Sequence, residues 1–179
     1  MTDRLDELVA GWRTAAPGRF VPAFDPDSGR TDAKVLVLLE RPAADTVARG
    51  EQAVSSEDNP NPSSRAFRRA RIESGLDRRD YLRWNIIPWV DPHAAGSAVA
   101  ELDGARNALH DLLTAMPRLE GIVALGQPAL TGVMRYFTLH ENPCIRTVLA
   151  APHPSPANGR HRAEQHARIV AALSRALAT

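Results

Sequence analysis

Four short apolar runs, separated by longer stretches with helical spacing, constrain the fold of this chain more than any other feature. The runs are Lys34–Glu40 (KVLVLLE), Tyr81–Ile87 (YLRWNII), Gly121–Gly126 (GIVALG) and Arg146–Ala151 (RTVLAA). None alternates strictly between apolar and polar residues, which is typical of strands that helices cover on both faces of a parallel sheet. The pattern therefore predicts an α/β fold built on a parallel sheet.

Helical spacing dominates the segments between and around these runs. Connecting helices are predicted over Ser63–Ser74, Val99–Met116 and Pro128–Tyr136. Two more amphipathic stripes bracket the chain, formed by Leu5, Leu8, Val9 and Trp12 near its start and by Ile169, Val170, Leu173 and Leu177 near its end. In an open parallel sheet ligands bind beyond the carboxyl ends of the strands, so the loops that follow the runs are where a site is expected.

The composition is that of an ordinary globular domain. Of 179 residues 44% are hydrophobic and 24% charged, so residues 1–179 are expected to form a single domain. No run reaches the ~18 consecutive apolar residues of a membrane span, and the acidic start of the sequence is unlike a signal peptide. We expect a cytoplasmic protein that does not enter the membrane, and a monomer.

The cysteine content limits the possible cofactors. Cys144 is the one cysteine in the sequence. This excludes an internal disulfide, a four-cysteine zinc site and an iron–sulfur cluster held by four thiolates of the chain. The sequence therefore predicts no metal cluster and no cofactor.

The formal net charge of +1 hides an uneven distribution. Residues 1–60 carry seven basic and eleven acidic side chains, whereas residues 61–179 carry fifteen and ten. Every basic residue except Lys34 is an arginine, a side chain that favours planar contacts with phosphate and carboxylate. A surface that faces nucleic acid and a bias of the coding sequence explain this preference equally well.

Polar residues stand at the carboxyl ends of the four runs. Glu40 closes the first run, Asn85 lies within the second, Gly126 and Gln127 follow the third, and His153 and Ser155 follow the fourth. Glu40 needs solvent, an ion pair or a substrate. A buried amide at Asn85 needs hydrogen-bond partners, which a base edge or a neighbouring loop can supply. Prolines on both sides of His153 stiffen its loop, as expected of a fixed catalytic imidazole or of a simple proline turn.

As a set, these motifs resemble those of the uracil-DNA glycosylase superfamily, in its branch without an iron–sulfur cluster. The matching stretches are LERPA with Glu40, WNIIPW with Asn85, ALGQPA with Gly126, and HPSP from His153 to Pro156. Order and spacing agree over roughly residues 20–179, and the closest likeness is to a bacterial, actinobacterial-type branch labelled uracil-DNA glycosylase-like. The resemblance implies a three-layer α/β/α fold with a four-stranded parallel sheet.

The resemblance also implies a role for each motif. Glu40 would orient or activate the attacking water, Asn85 would read the base, and His153 would donate to a carbonyl oxygen of uracil. The turn at Gly126 and Gln127 would offer backbone amides to phosphate, and the Ser155 loop would compress the DNA backbone. The stacking phenylalanine of the family is not at its usual place, and Phe67 or Trp89 would substitute for it.

A basic rim is also expected, since a base inside a duplex must be flipped out before C1′ can be reached. Its candidates share an arginine side chain and follow residue 60: Arg65, Arg68, Arg69, Arg71, Arg78, Arg79, Arg83, Arg160, Arg162 and Arg168. For each of them a solvated helix face is the alternative reading.

Two positions depart from the family pattern. Arg41 stands where the best-known enzymes carry a water-activating aspartate, and its charge would oppose the positive charge of the reacting sugar unless an acid neutralises it. Ala157 and Asn158 stand where efficient duplex enzymes insert a leucine wedge. Uracil in single strands or in mismatched duplexes is therefore the expected form of DNA substrate.

The expected function is a monofunctional DNA glycosylase that releases uracil or a related deaminated base. Two alternatives stay open at this point. One is a nucleobase- or DNA-binding member of the same fold that has lost efficient catalysis, and the other is a hydrolase of a free nucleoside or a similar small molecule.

Overall fold

The four apolar runs form the four strands of one sheet, and the prediction of a three-layer α/β/α fold is confirmed. The computed structural model describes residues 3–93, 96–155 and 161–178. Its strands are β1 (Ala23–Phe24), β2 (Val35–Leu39), β3 (Val54–Ser55), β4 (Tyr81–Asn85), β5 (Gly121–Leu125) and β6 (Thr147–Ala151). The main sheet has the order β4-β2-β5-β6, and all its strands are parallel. All four carboxyl ends therefore lie at one edge.

Helices cover both faces of this sheet. They are α1 (Arg4–Ala15), α2 (Ala44–Val47), α3 (Pro62–Ser74), α4 (Ala98–Gly104), α5 (Arg106–Thr114), α6 (Gln127–Leu139) and α7 (Arg162–Ala176). Helices α1, α4, α5 and α6 pack on one face, and α3 and α7 pack on the other. Strand β2 shows why its run does not alternate, because Leu36 and Leu38 enter one core while Val35 and Val37 enter the other.

Strand β6 is not covered by helices on both faces, although the sequence predicted such cover for all four strands. It lies at the edge of the sheet, and Thr147 and Ala150 are exposed. An edge strand needs an apolar pattern only where α7 covers it, and Leu149 supplies that contact.

The helix predicted over Val99–Met116 is instead two helices, α4 and α5. Ala105 separates them, with φ −89° and ψ −3°. It follows Gly104, which has a low helix propensity. The Ala105 N–H donates to both Glu101 O and Leu102 O, a shared bond typical of a helix end.

The loops before β2 and after it contain a second, two-stranded parallel pair, β1 with β3, which the sequence did not predict. Buried ion pairs hold this region against the main sheet. The fully buried Glu57 accepts from Arg71 Nη2 at 2.6 Å and from the Tyr81 hydroxyl at 2.8 Å. Arg78 donates to Asp25 at 2.9 Å. Burial, with the Glu57 charge beside it, raises the pKa of the Tyr81 hydroxyl. Arg71 and Arg78 thus fix the loop that carries Glu57 and do not belong to an open basic rim.

In the part of the chain that the structure describes, no helix has both the length and the apolar composition that a membrane crossing requires.

Candidate active site

Two of the predicted strand-end residues line one cleft. Leu39 of β2 pairs with Asn85 of β4, and Leu125 of β5 pairs with Ala151 of β6, so the segments that follow emerge side by side. Asn85 and His153 both line the cleft at this edge, and Arg41 and Arg83 line it with them. Ser55 and Asn59, from the loop that the buried ion pairs hold, close its other side.

Asn85 presents a free amide to this cleft. The residue is only 7% exposed, and within residues 3–93, 96–155 and 161–178 its side chain has no hydrogen-bond partner. The neighbouring amides of Ile86 and Ile87 continue the pairing with β2 through Leu39 O and Glu40 O, at 2.8 and 2.9 Å. The backbone around Asn85 is therefore fixed while its C=O and NH2 groups remain available to a ligand.

His153 is half-buried in the same cleft, and its imidazole has no hydrogen-bond partner among the described residues. Burial lowers the pKa of His153, the positive charge of Arg83 lowers it further, and the negative charge of Glu40 opposes both. The imidazole is therefore neutral at neutral pH. A neutral imidazole can donate one N–H to an oxygen of a ligand.

Two residues hold the loop of His153 in place. Gly126 has φ +95°, and a Cβ at this position would lie 3.0 Å from His153 Cβ, so only glycine allows this approach. From the other side, Gln165 Nε2 of α7 donates to the carbonyl oxygens of His153 and of Ser155. Sequence reasoning missed Gln165, although a polar residue on the apolar stripe of the C-terminal helix was a visible signal.

Arg41 lines the cleft and lies between two carboxylates. Its Nε is 3.3 Å from Glu40 Oε1 and its Nη1 is 3.1 Å from Glu101 Oε2. The Glu40 side chain is 41% exposed at the mouth of the site, close enough for its charge to act on His153. The condition set by the sequence, that an acid must neutralise Arg41, is met by Glu40 together with Glu101 of α4. Sequence spacing gave no indication of Glu101.

The two aromatic candidates do not line the cleft. Phe67 is fully buried on the core side of α3, and its ring lies 5.6 Å from that of Tyr81 in an edge contact. It cannot stack on a base there, because helical spacing turns it toward the sheet together with Ala70. Trp89 lies under the guanidinium of Arg19, at 4.6 Å from Cζ to the ring centroid, and packs partly against the other core.

The predicted contacts to the DNA backbone fall at three places. The N–H of Gly126 donates to Ala151 O at 2.8 Å and is not free for phosphate. The next residue, Gln127, is exposed at the start of α6. Ser155 and Arg162 line a neighbouring cavity of about 140 Å³ between α3 and α7, together with Arg69. Arg160 and the Ala157–Asn158 position lie outside the described residues.

Metal ligands do not gather at this site. Within the described ranges, no group of three or more His, Cys, Asp or Glu side chains is arranged to hold a metal ion.

The arrangement of strand ends, motifs and cleft agrees with a family comparison. A model of the family described as the uracil DNA glycosylase superfamily matches residues 26–176 of the chain. The chain belongs to the uracil DNA glycosylase superfamily. Members of this superfamily are DNA glycosylases that act on DNA, and the match spans the strands and helices that build the cleft.

A solved structure supports the same fold. The crystal structure of wild-type SMUG2 from Pedobacter heparinus superposes with a TM-score of 0.67, over 99% of this chain and 98% of that one. The two sequences are 11% identical, so this likeness shows the fold alone. No curated protein matches the chain significantly in sequence.

Proposed function

We propose that this superfamily member is a monofunctional DNA glycosylase that hydrolyses the N-glycosidic bond of uracil, or of a related deaminated base, and leaves an abasic site. One observation carries the proposal: the Asn85 amide and the neutral imidazole of His153 both face one cleft without partners in the described chain. Side chains with a purely structural role at these positions would be satisfied by the protein itself.

The Asn85 amide supplies the recognition. Its C=O accepts and its NH2 donates, which is the pattern that complements the N3–H and O4 edge of uracil. Because β4 is buried and its end is fixed by the bonds to β2, the amide is held in place before a base enters. Discrimination of this kind is strong, since a base with the reversed pattern would leave buried polar groups unpaired.

His153 acts on the leaving base. When the bond from C1′ to N1 breaks, the electron pair stays on N1 and negative charge spreads to the O2 oxygen. A neutral imidazole donates a hydrogen bond to that oxygen and stabilises the charge as it develops. The low pKa of His153 keeps the imidazole in the neutral form that the proposal needs.

Glu40 acts on the sugar side. The C1′ centre gains positive charge as the bond breaks, as in glycoside hydrolysis. The exposed carboxylate of Glu40 orients a water molecule for attack on C1′ and accepts its proton. Arg41 does not cancel this effect, because it shares its charge between Glu40 and Glu101.

The DNA partner is proposed to be uracil-containing single strands or mismatched duplexes. The cleft opens beside the cavity that Arg69, Ser155 and Arg162 line, and arginines there suit contact with phosphates. The preference over intact duplex is proposed from the sequence alone, because Ala157 and Asn158 stand where duplex enzymes insert a leucine between the bases. A monomeric, cytoplasmic, bacterial enzyme remains part of the same proposal.

The experiment compares excision by the wild type, by an Asn85→Ala, His153→Ala double variant and by a matched Asn107→Ala, His140→Ala control. The control pair has the same residue types and borders a different surface, between α5 and the end of α6. Oligonucleotides with uracil in single-stranded, mismatched and paired form are incubated and then cleaved with alkali. We expect strand cleavage by the wild type and the control, and loss by the double variant of at least ~10²-fold.

The same assay separates the alternatives. Arg41 on the cleft wall favours a second candidate, a base- or DNA-binding protein without turnover. That candidate predicts saturable, salt-dependent DNA binding with no abasic product. Hydrolysis of free deoxyuridine without excision from oligonucleotides would instead identify a nucleoside hydrolase, and either result would overturn the proposal.

A further inference from the structure

The cleft contains a buried cation that the protein itself does not neutralise. Arg83 of β4 is 8% exposed and lines the cleft with Asn85 and His153. Its Nη1 donates to the Ser56 carbonyl oxygen, and its Nε is buried without a hydrogen-bond partner. In the described part of the chain no carboxylate oxygen lies within the 4.0 Å of an ion pair with it.

The other inward-facing arginines of this region are paired. Arg71 forms two bonds to the carboxylate of Glu57, at 2.6 and 3.0 Å. Arg78 reaches Asp25 at 2.9 Å and Asp58 at 2.6 Å. The carboxylates of Glu57, Asp25 and Asp45 attract Arg83 from a greater distance. Arg83 is therefore not required to neutralise a buried carboxylate, because Glu57 and Asp25 are already paired with Arg71 and Arg78.

A structural role for Arg83 is also costly. Burying a guanidinium without a paired carboxylate carries a large desolvation penalty. The ring of Phe67 lies 5.7 Å from Cζ, near the outer limit of a cation–π contact, and supplies no carboxylate. Apolar side chains are buried at the neighbouring positions of the same strand, Leu82 and Trp84, without such a penalty. Groups held at such a cost concentrate at functional sites.

The position on β4 directs Arg83 to the substrate. Side chains alternate along a strand, so Arg83 and Asn85 project on the same side of the sheet, and Asn85 is the residue proposed to hold the base. Guanidinium groups stay protonated in proteins, so the charge at Arg83 is permanent. Arg41 also lines the cleft, but Glu40 and Glu101 pair with it. The cleft thus combines one cation that lacks a paired carboxylate, Arg83, with two neutral hydrogen-bonding groups.

We propose that Arg83 is the anion-binding residue of this cleft, and that it holds the base as it leaves with a negative charge. The inference rests on the proposed function and names the group that stabilises the product. As the C1′–N1 bond breaks, the electron pair remains on the base, water adds to C1′, and the proton of that water passes to Glu40. Arg83 balances the charge of the base anion without a proton transfer, which leaves His153 free to remain neutral.

The first test is direct binding and needs no catalysis. Barbiturate has the shape of a pyrimidine base and is a monoanion at neutral pH, whereas uracil is neutral. By isothermal titration we expect the wild type to bind barbiturate about 10- to 100-fold more tightly than uracil, the value of one charged hydrogen bond. An Arg83→Met variant should lose this preference, and Arg83→Lys should retain part of it. Equal affinity of the wild type for the two compounds would overturn the proposal, whether or not the variants fold.

The second test is kinetic. In Arg83→Met, release of uracil should slow by ~10²–10³-fold. Release of 5-fluorouracil, a more acidic leaving group that needs less help, should slow much less. Arg71→Met is the matched control, since it removes a paired arginine from the same region and should lower thermal stability without changing the ratio of the two rates. The proposal fails if Arg83→Met leaves that ratio at the wild-type value.

The two proposals fail in different ways. Excision by the wild type together with an unchanged rate ratio in Arg83→Met would reject the role of Arg83 and keep the glycosylase. Preference for barbiturate that depends on Arg83, with no excision of any base, would reject the glycosylase and keep the anion site.

Discussion

The side-chain amide of Gln165 donates to the carbonyl oxygen of His153, so helix α7 holds the loop that carries the imidazole. A second bond, from the same amide to Ser155 O at 3.2 Å, fixes the loop at another point. Gln165 is 6% exposed and touches no part of the cleft itself. Gln165 therefore acts on the site through the loop of His153, as a positioning residue.

Replacement of Gln165 by leucine should slow base release while leaving the fold intact. Leucine continues the apolar stripe of Ile169 and Leu173 on α7, so the free energy of unfolding should change by no more than about 1 kcal/mol. A loop displaced by about 1 Å lowers the rate by ~10²-fold. Single-turnover excision and thermal unfolding measure the two effects. A residue with only a structural role would lower stability and leave the rate of the folded fraction unchanged.

Replacement of Gly126 by alanine tests the close approach of the β5 turn to His153. The position has φ +95°, and the added Cβ would lie 3.0 Å from His153 Cβ, so we expect a cost of about 1–3 kcal/mol and a loss of activity. Gly75→Ala is the control. Gly75 also has a positive φ, at +78°, but nothing lies within 4 Å of its added Cβ. Backbone strain alone would give the two variants equal activity, and only contact with His153 separates them.

The sheet and the residues at its strand ends could be predicted from the sequence. The four apolar runs predicted the parallel sheet, because a strand covered on both faces must be apolar throughout and this requirement is local. Glu40, Asn85 and His153 could be brought together for the same reason, since parallel strands place their ends at one edge. The resemblance to the superfamily rested on those same strand ends.

The residues that hold these side chains in place could not be predicted from the sequence. Gln165 and Glu101 contact the loops of His153 and Arg41 from elements that are far apart in sequence, and no short spacing records such a contact. Phe67 was misplaced because its aromatic side chain suited a base, whereas the helical phase of α3 turns it into the core. The β1–β3 pair was missed because two-residue strands carry no periodic signal.

Replacement of Glu101 by glutamine should slow excision by increasing the uncompensated charge of Arg41. The variant removes one of the two carboxylates beside that guanidinium, at 3.1 Å from Nη1. The extra positive charge would oppose the developing charge on the sugar by about 1 kcal/mol, or roughly fivefold in rate. DNA affinity should stay equal or rise. Glu141→Gln, at an exposed position elsewhere, is the control, and a faster rate in Glu101→Gln would contradict the proposed balance.

The pKa of His153 should respond in opposite directions to its two charged neighbours. Arg83 lowers it and Glu40 raises it, so Arg83→Met should raise the pKa and Glu40→Gln should lower it, as followed by NMR titration of the imidazole. The native pKa lies below the ordinary value of about 6.5. As the pH falls below that value the unfolded chain takes up a proton that the native protein does not, so stability declines. His153→Gln should remove this part of the decline. A native midpoint at or above the ordinary value would contradict the buried, neutral imidazole.

Replacement of Glu57 by glutamine tests whether the buried ion pairs build the far wall of the cleft. Glu57 accepts from both Arg71 and Tyr81, and its side chain is fully buried. Removing its charge leaves the partly buried Arg71 without a carboxylate, which should cost about 3–5 kcal/mol of unfolding free energy. Glu73→Gln, which breaks an exposed pair with His166, should cost less than about 1 kcal/mol. Because the Glu57 loop also carries Ser55 and Asn59, ligand affinity should fall along with stability. Unchanged affinity in a folded Glu57→Gln protein would show that this wall forms without the ion pairs.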